Sequence, residues 1–126
     1  MAQRADLVQQ VQKALQAHNT WKAQLAASMG SGASGFDPDK TRLDNQCPLG
    51  QWLAGSLDPA LTKGPHLDKV KKLHAEFHAA AGRVVRLAHL GLTGDAKEAM
   101  EPDSSYAQAS MQLTMAMVAW RATFEK

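Results

Sequence analysis

Cysteine occurs once in this chain, at position 47. One thiol cannot form an internal disulfide, which excludes a disulfide-stapled secreted scaffold. Aromatic residues make up only 6% of the chain, and β-branched residues are few. No segment alternates convincingly enough for a strand. No apolar run is long enough to span a bilayer, and no charged-then-apolar leader is visible. The expectation is a cytoplasmic protein without membrane contact. Charge of one sign is lacking too: 14 basic against 12 acidic residues leave a net +2, with the basic residues scattered. Such a surface does not suggest nucleic acid or an anionic membrane as a partner. No phosphate loop is present, because Gly30 to Gly35 has no strand before it and no Lys-Ser or Lys-Thr after it. Carboxylate pairs spaced for acid–base work are missing, and the H-E-x-x-H order of zinc proteases is replaced by His74-Ala75-Glu76-Phe77-His78.

What is plentiful is Ala, Leu, Gln and Met, a helix-forming composition. The 126 residues fit one domain. From Ala5 to about Met29, apolar positions and His18 recur at steps of three and four, the spacing of one buried helix face. Gly30 to Gly35 reads as a flexible loop, and Phe36 to Asp39 as a turn. Leu43 to Cys47 reads as irregular chain, and Pro48 to Ala54 as a short helix closed by Gly55. Asp58-Pro59 starts a further turn. Pro65 to about Leu90 is the clearest amphipathic helix, carrying His74, Phe77 and His78 on its apolar face. A last helix, broken near Pro102, is clearest from Ser104 to about Phe124; Met111, Met115 and Met117 are read as core, with a dimer seam as the alternative. The fold expected is all-α, a small antiparallel four-helix bundle of three long helices plus the short segment bearing Cys47. The single domain covers 1–126 with its core at about 5–124. Because the chain opens on Met1-Ala2 and stops at Phe124-Glu125-Lys126 inside a helical pattern, it is expected to be a piece of a longer signalling protein.

The residues that carry chemistry are few. Pro48 disfavours helical geometry at Cys47 and suits the first helical position. The sulfur should therefore sit at the positive end of a helix, which favours the thiolate, the form that binds metal. His74 and His78 are four residues apart, so both rings project from one buried face within reach of a single ion. Two adjacent core imidazoles without a metal would compete for few hydrogen-bond partners. With His18 and Cys47 they make four donors of the types zinc prefers, on three segments, for a closed tetrahedral site. His89, eleven residues past His78, is roughly 16 Å away along a helix, and His66 sits in the first turn. Asp44 and Trp52 are candidate outer partners of the site, Asp44 as an acceptor for an imidazole N–H.

Arg42-Leu43-Asp44-Asn45-Gln46-Cys47-Pro48-Leu49-Gly50-Gln51-Trp52-Leu53 resembles the central signature of the chemoreceptor zinc-binding (CZB) domain. His18 with Trp21 resembles its first-helix motif, and Leu73 to His78 followed by Ala81 its third. The resemblance implies a homodimeric four-helix bundle with Zn²⁺ on His18, Cys47, His74 and His78. It further implies a non-enzymatic regulatory module of bacterial chemotaxis and related signal transduction. Such modules are joined to an output domain, such as a methyl-accepting chemoreceptor or a diguanylate cyclase, or stand alone. Their inputs are zinc itself or hypochlorous acid, the latter making Cys47 a redox switch. Alternatives weighed against this are a purely structural zinc staple for dimerisation, a metalloenzyme, for which no base is evident, and a di-iron bundle, for which inward carboxylates are lacking.

Overall fold

The three periodic segments are the three long helices. A computed structural model describes residues 4–125. Met1, Ala2, Gln3 and Lys126 lie outside the described residues, and with them Met1-Ala2 and Lys126 of the ends on which the expectation of a longer protein rests. Helix α1 is Arg4–Ser28, α2 Pro38–Thr41, α3 Pro48–Ala54, α4 His66–His89, α5 Thr93–Glu98 and α6 Ser105–Ala122. Two 3-10 turns lie at Met29–Ser31 and Pro59–Thr62. All regular structure among the described residues is helical.

Local chemistry sets the starts. Asp37 accepts hydrogen bonds from the N–H groups of Asp39 and Lys40, and Pro38 opens α2, so the expected turn is a one-turn helix. Pro48 opens α3 in the same way, and Gly55 closes it. Ser104 accepts from Ala107 N–H and starts α6. The break near Pro102 separates a further short helix, α5, from α6.

Helix α4 packs along α6, and α1 also lies on α6; α2 rests on α4 and α3 on α1. The core draws Leu7, Val11, Leu15 and Leu25 from α1, Val70, Phe77, Ala81 and Val85 from α4, and Leu113, Met117 and Trp120 from α6. These are the faces the periodicity predicts. The methionines divide: Met117 is fully buried, whereas Met111 and Met115 are 58% and 64% exposed. Positions 111, 115 and 118 fall on the side of α6 turned away from Met117 and Trp120, which accounts for the correction. The glycine-rich stretch is docked. Ala33 is fully buried, its N–H donates to Ser28 O and its carbonyl accepts from Phe36 N–H and faces His89 Nε2 at 3.3 Å. Trp52 of α3 lies on Trp120 of α6, ring centroids 5.7 Å apart.

Candidate metal centre

Three helices deliver the four donors. The turn of α1 at His18, the α4 face at His74 and His78, and Cys47 at the N-terminus of α3 converge. Each of the four residues is 1% exposed. One ligating atom from each lies within 4.8 Å of all the others. Cys47 Sγ is 3.2 Å from His74 Nε2 and 3.3 Å from His78 Nε2. Zinc bonds of about 2.3 Å to sulfur and about 2.0–2.1 Å to nitrogen place tetrahedral donors roughly 3.3–3.6 Å apart. The two distances from Cys47 lie close to that frame, and the four donors together span no more than 4.8 Å.

The donors' own hydrogen bonding points the same way. His78 Nδ1 donates to Thr41 O at 2.9 Å, so its Nε2 carries the lone pair and faces the sulfur. His18 is more telling, since neither Nδ1 nor Nε2 has a hydrogen-bond partner although both are buried. A buried imidazole with two orphaned nitrogens is costly in a metal-free core, and coordination removes that cost. The ring of His18 stacks parallel to Trp21 at 6.1 Å and meets Phe77 edge-on at 4.8 Å. His18 is thereby held with its edge toward His74 and His78, whose rings are 5.3 and 5.9 Å away.

Burial dominates the protonation states. It lowers His18 to about 2, helped by the neighbouring His74 and His78, and lowers His74 to about 3. Burial also lowers His78, against the opposing pull of the Thr41 carbonyl and Asp44. All three imidazoles are therefore neutral near pH 7, as metal ligands must be. The thiolate expectation is corrected for the metal-free chain. Burial pushes the Cys47 thiol up, outweighing the N–H groups of Gly50 and Leu49 that favour the thiolate. A cation among the imidazoles would reverse that balance.

The Cys47 turn is tightly built. Gly50 N–H donates to Sγ at 3.4 Å. A Cβ on Gly50 would stand 1.6 Å from the Asp44 carbonyl oxygen, so only glycine lets the turn before Cys47 close on α3. Of the outer candidates, Asp44 is exposed, and its carboxylate acts on Cys47 and His78 through its charge. Trp52 packs on Trp120. The acceptor that orients an imidazole is the Thr41 carbonyl, which sequence reading missed because a backbone oxygen carries no residue signature. Trp21, 4.8 Å from the His78 ring, is the tryptophan against the site. His66 is half-buried and His89 exposed, each well outside the cluster. A cleft of about 280 Å³, lined by Trp21, Phe36, Lys40, Leu43 and Gln46, reaches Cys47 and His78 from outside.

A family model described as the chemoreceptor zinc-binding domain matches residues 18–85, more than half of the chain and a span holding all four donors. No curated protein and no solved structure matches the chain.

Proposed function

The chain belongs to the chemoreceptor zinc-binding domain family, and from that premise we propose that it is a cytoplasmic regulatory module whose His18, Cys47, His74 and His78 hold Zn²⁺. The observation that carries this reading is the buried convergence of one sulfur and three imidazoles, with both His18 nitrogens otherwise unpartnered. Bound zinc would supply a cation that stabilises the Cys47 thiolate. The chain's own residues do the rest. Thr41 fixes the tautomer of His78, Trp21 and Phe77 hold His18, and Gly50 N–H steadies the sulfur.

Regulation is proposed to act at Cys47. Its thiolate takes oxygen from hypochlorous acid and releases chloride, a two-electron oxidation to sulfenic acid, which is a poorer ligand. The cleft at Trp21, Lys40 and Gln46 gives a small oxidant a way to the sulfur. Cys47 then parts from the His18, His74 and His78 cluster, and α3 moves with it. We further propose an antiparallel four-helix bundle that pairs with a second copy through Met111, Met115 and Val118. These residues, 58%, 64% and 38% exposed, form a stripe at i, i+4 and i+7 on α6. An attached methyl-accepting chemoreceptor or diguanylate cyclase would read the change; no catalysis is assigned to this domain.

The test is zinc per chain by elemental analysis, before and after stoichiometric hypochlorous acid, on wild type and Cys47→Ala. About one zinc per wild-type chain, lost on oxidation, with oxidant-insensitive binding in the variant, is the expected result. Zinc retained by a wild type whose Cys47 is demonstrably oxidised would leave a zinc sensor or a structural staple, the reading the full burial of all four donors also supports. Protein purified without chelator and free of zinc would sink the four-ligand reading.

A further inference from the structure

Helix α4 contains one glycine, Gly82, in a stretch otherwise rich in alanine. Glycine in a helix interior is destabilising relative to alanine. Its backbone is ordinary right-handed helix, so no special dihedral angle calls for it. What calls for it is contact. A Cβ at Gly82 would lie 2.6 Å from Arg42 Cβ, 3.0 Å from Arg42 Cα and 3.1 Å from Arg42 N. Two of those atoms are backbone, so rotating a side chain cannot relieve the clash. Gly82 follows His78 by one helical turn on the same face. The residue before Arg42 is Thr41, whose carbonyl accepts from His78 Nδ1. The two contacts are thus one interface, with the chain at 41–42 lying flat against α4 over positions 78 and 82.

We infer that Gly82 is a positioning residue for the metal site: its bare Cα lets the Thr41–Arg42 backbone close on α4, so that the Thr41 carbonyl holds the Nδ1 proton of His78 and leaves Nε2 aimed at Cys47. A methyl group there lifts the backbone by several tenths of an ångström and loosens that hydrogen bond. It also disturbs the five-residue path from Arg42 to Cys47. Carbonyl and carboxylate partners of ligating histidines are worth about 10- to 100-fold in metal affinity.

This inference rests on the zinc reading and is tested separately from it. Zinc affinity is measured by competition with a chromophoric chelator for wild type, Gly82→Ala and the double variant Gly82→Ala with Arg42→Gly. The imidazole protons of zinc-loaded wild type are followed by NMR. Gly82→Ala is expected to bind zinc about 10- to 100-fold more weakly with its helical circular dichroism retained. The double variant, which removes the 2.6 Å contact but keeps the two to the Arg42 backbone, should recover part of the affinity. In wild type, His78 should show a slowly exchanging Nδ1 proton that weakens in Gly82→Ala. Wild-type affinity in Gly82→Ala would overturn the inference, as would a lost affinity that Arg42→Gly does not raise at all. So would the absence of a protected Nδ1 proton on His78, a result that needs no variant to fold. Wild type that binds no zinc would instead remove the zinc reading.

Discussion

Replacing His18 with leucine should move stability in opposite directions with and without metal. In the metal-free chain both His18 nitrogens are buried and unpartnered. A buried polar group without a partner costs about 1–3 kcal/mol. Leucine, close in size, keeps the contacts with Phe77 and Trp21 and removes that cost. His18→Leu should therefore stabilise the zinc-free fold by about 2 kcal/mol, which for a domain of this length raises the melting temperature by roughly 6–10 °C. With zinc the order reverses. A ligand present at about a thousand times its dissociation constant stabilises the folded state by about 4 kcal/mol, and the variant, short of one donor, loses most of that. The assay is thermal melting of both proteins, first in excess chelator and then in a zinc buffer. A variant that melts below wild type in both conditions would show that His18 is a satisfied core residue. One that melts above wild type in both would show that it contributes nothing to metal binding.

Acid should weaken both the metal-free fold and zinc binding. His18 and His74 titrate in the folded chain at about 2 and about 3, below the ordinary 6.5. As pH falls below 6.5 the unfolded chain takes up protons the folded chain refuses, so stability present above that pH is lost below it. Urea midpoints in chelator should drop between pH 7.5 and pH 5, by up to about 2 kcal/mol per histidine; a flat profile would contradict the burial argument. Zinc affinity should fall in the same direction, since the Cys47 thiol, pushed up by burial, must release its proton to bind. On the surface, Met115→Glu should shift a dimer to monomer in sedimentation at micromolar concentration without loss of helix; unchanged mass would exclude the α6 stripe as the seam.

The long helices were legible because their apolar residues repeat at three and four, and the bounds of α3 because Pro48 and Gly55 punctuate it. The four donors were legible as residue types whose spacing the helix geometry makes meaningful. What was hidden depends on backbone meeting backbone: the Thr41 carbonyl on His78, Asp44 against Gly50, Arg42 against Gly82. A glycine announces only that a side chain is missing, and the neighbour that needs the space comes from another segment. The two-sidedness of α6 was hidden for a different reason. Methionine suits core and interface equally, so Met117 and Met115 look alike until the rotation of the helix is known.

The three tryptophans divide the molecule optically. Trp21 lies parallel to His18 and against His78, where the charge on a coordinated or protonated imidazole acts directly on its excited state. Trp52 and Trp120 sit ring to ring, one on α3 and one on α6, close enough for their transitions to couple. Emission therefore follows the occupancy of the site, while the near-ultraviolet dichroism of the pair follows the seating of α3 on α6. Light alone can separate a change at the site from a change in how Trp52 meets Trp120, in the unlabelled chain.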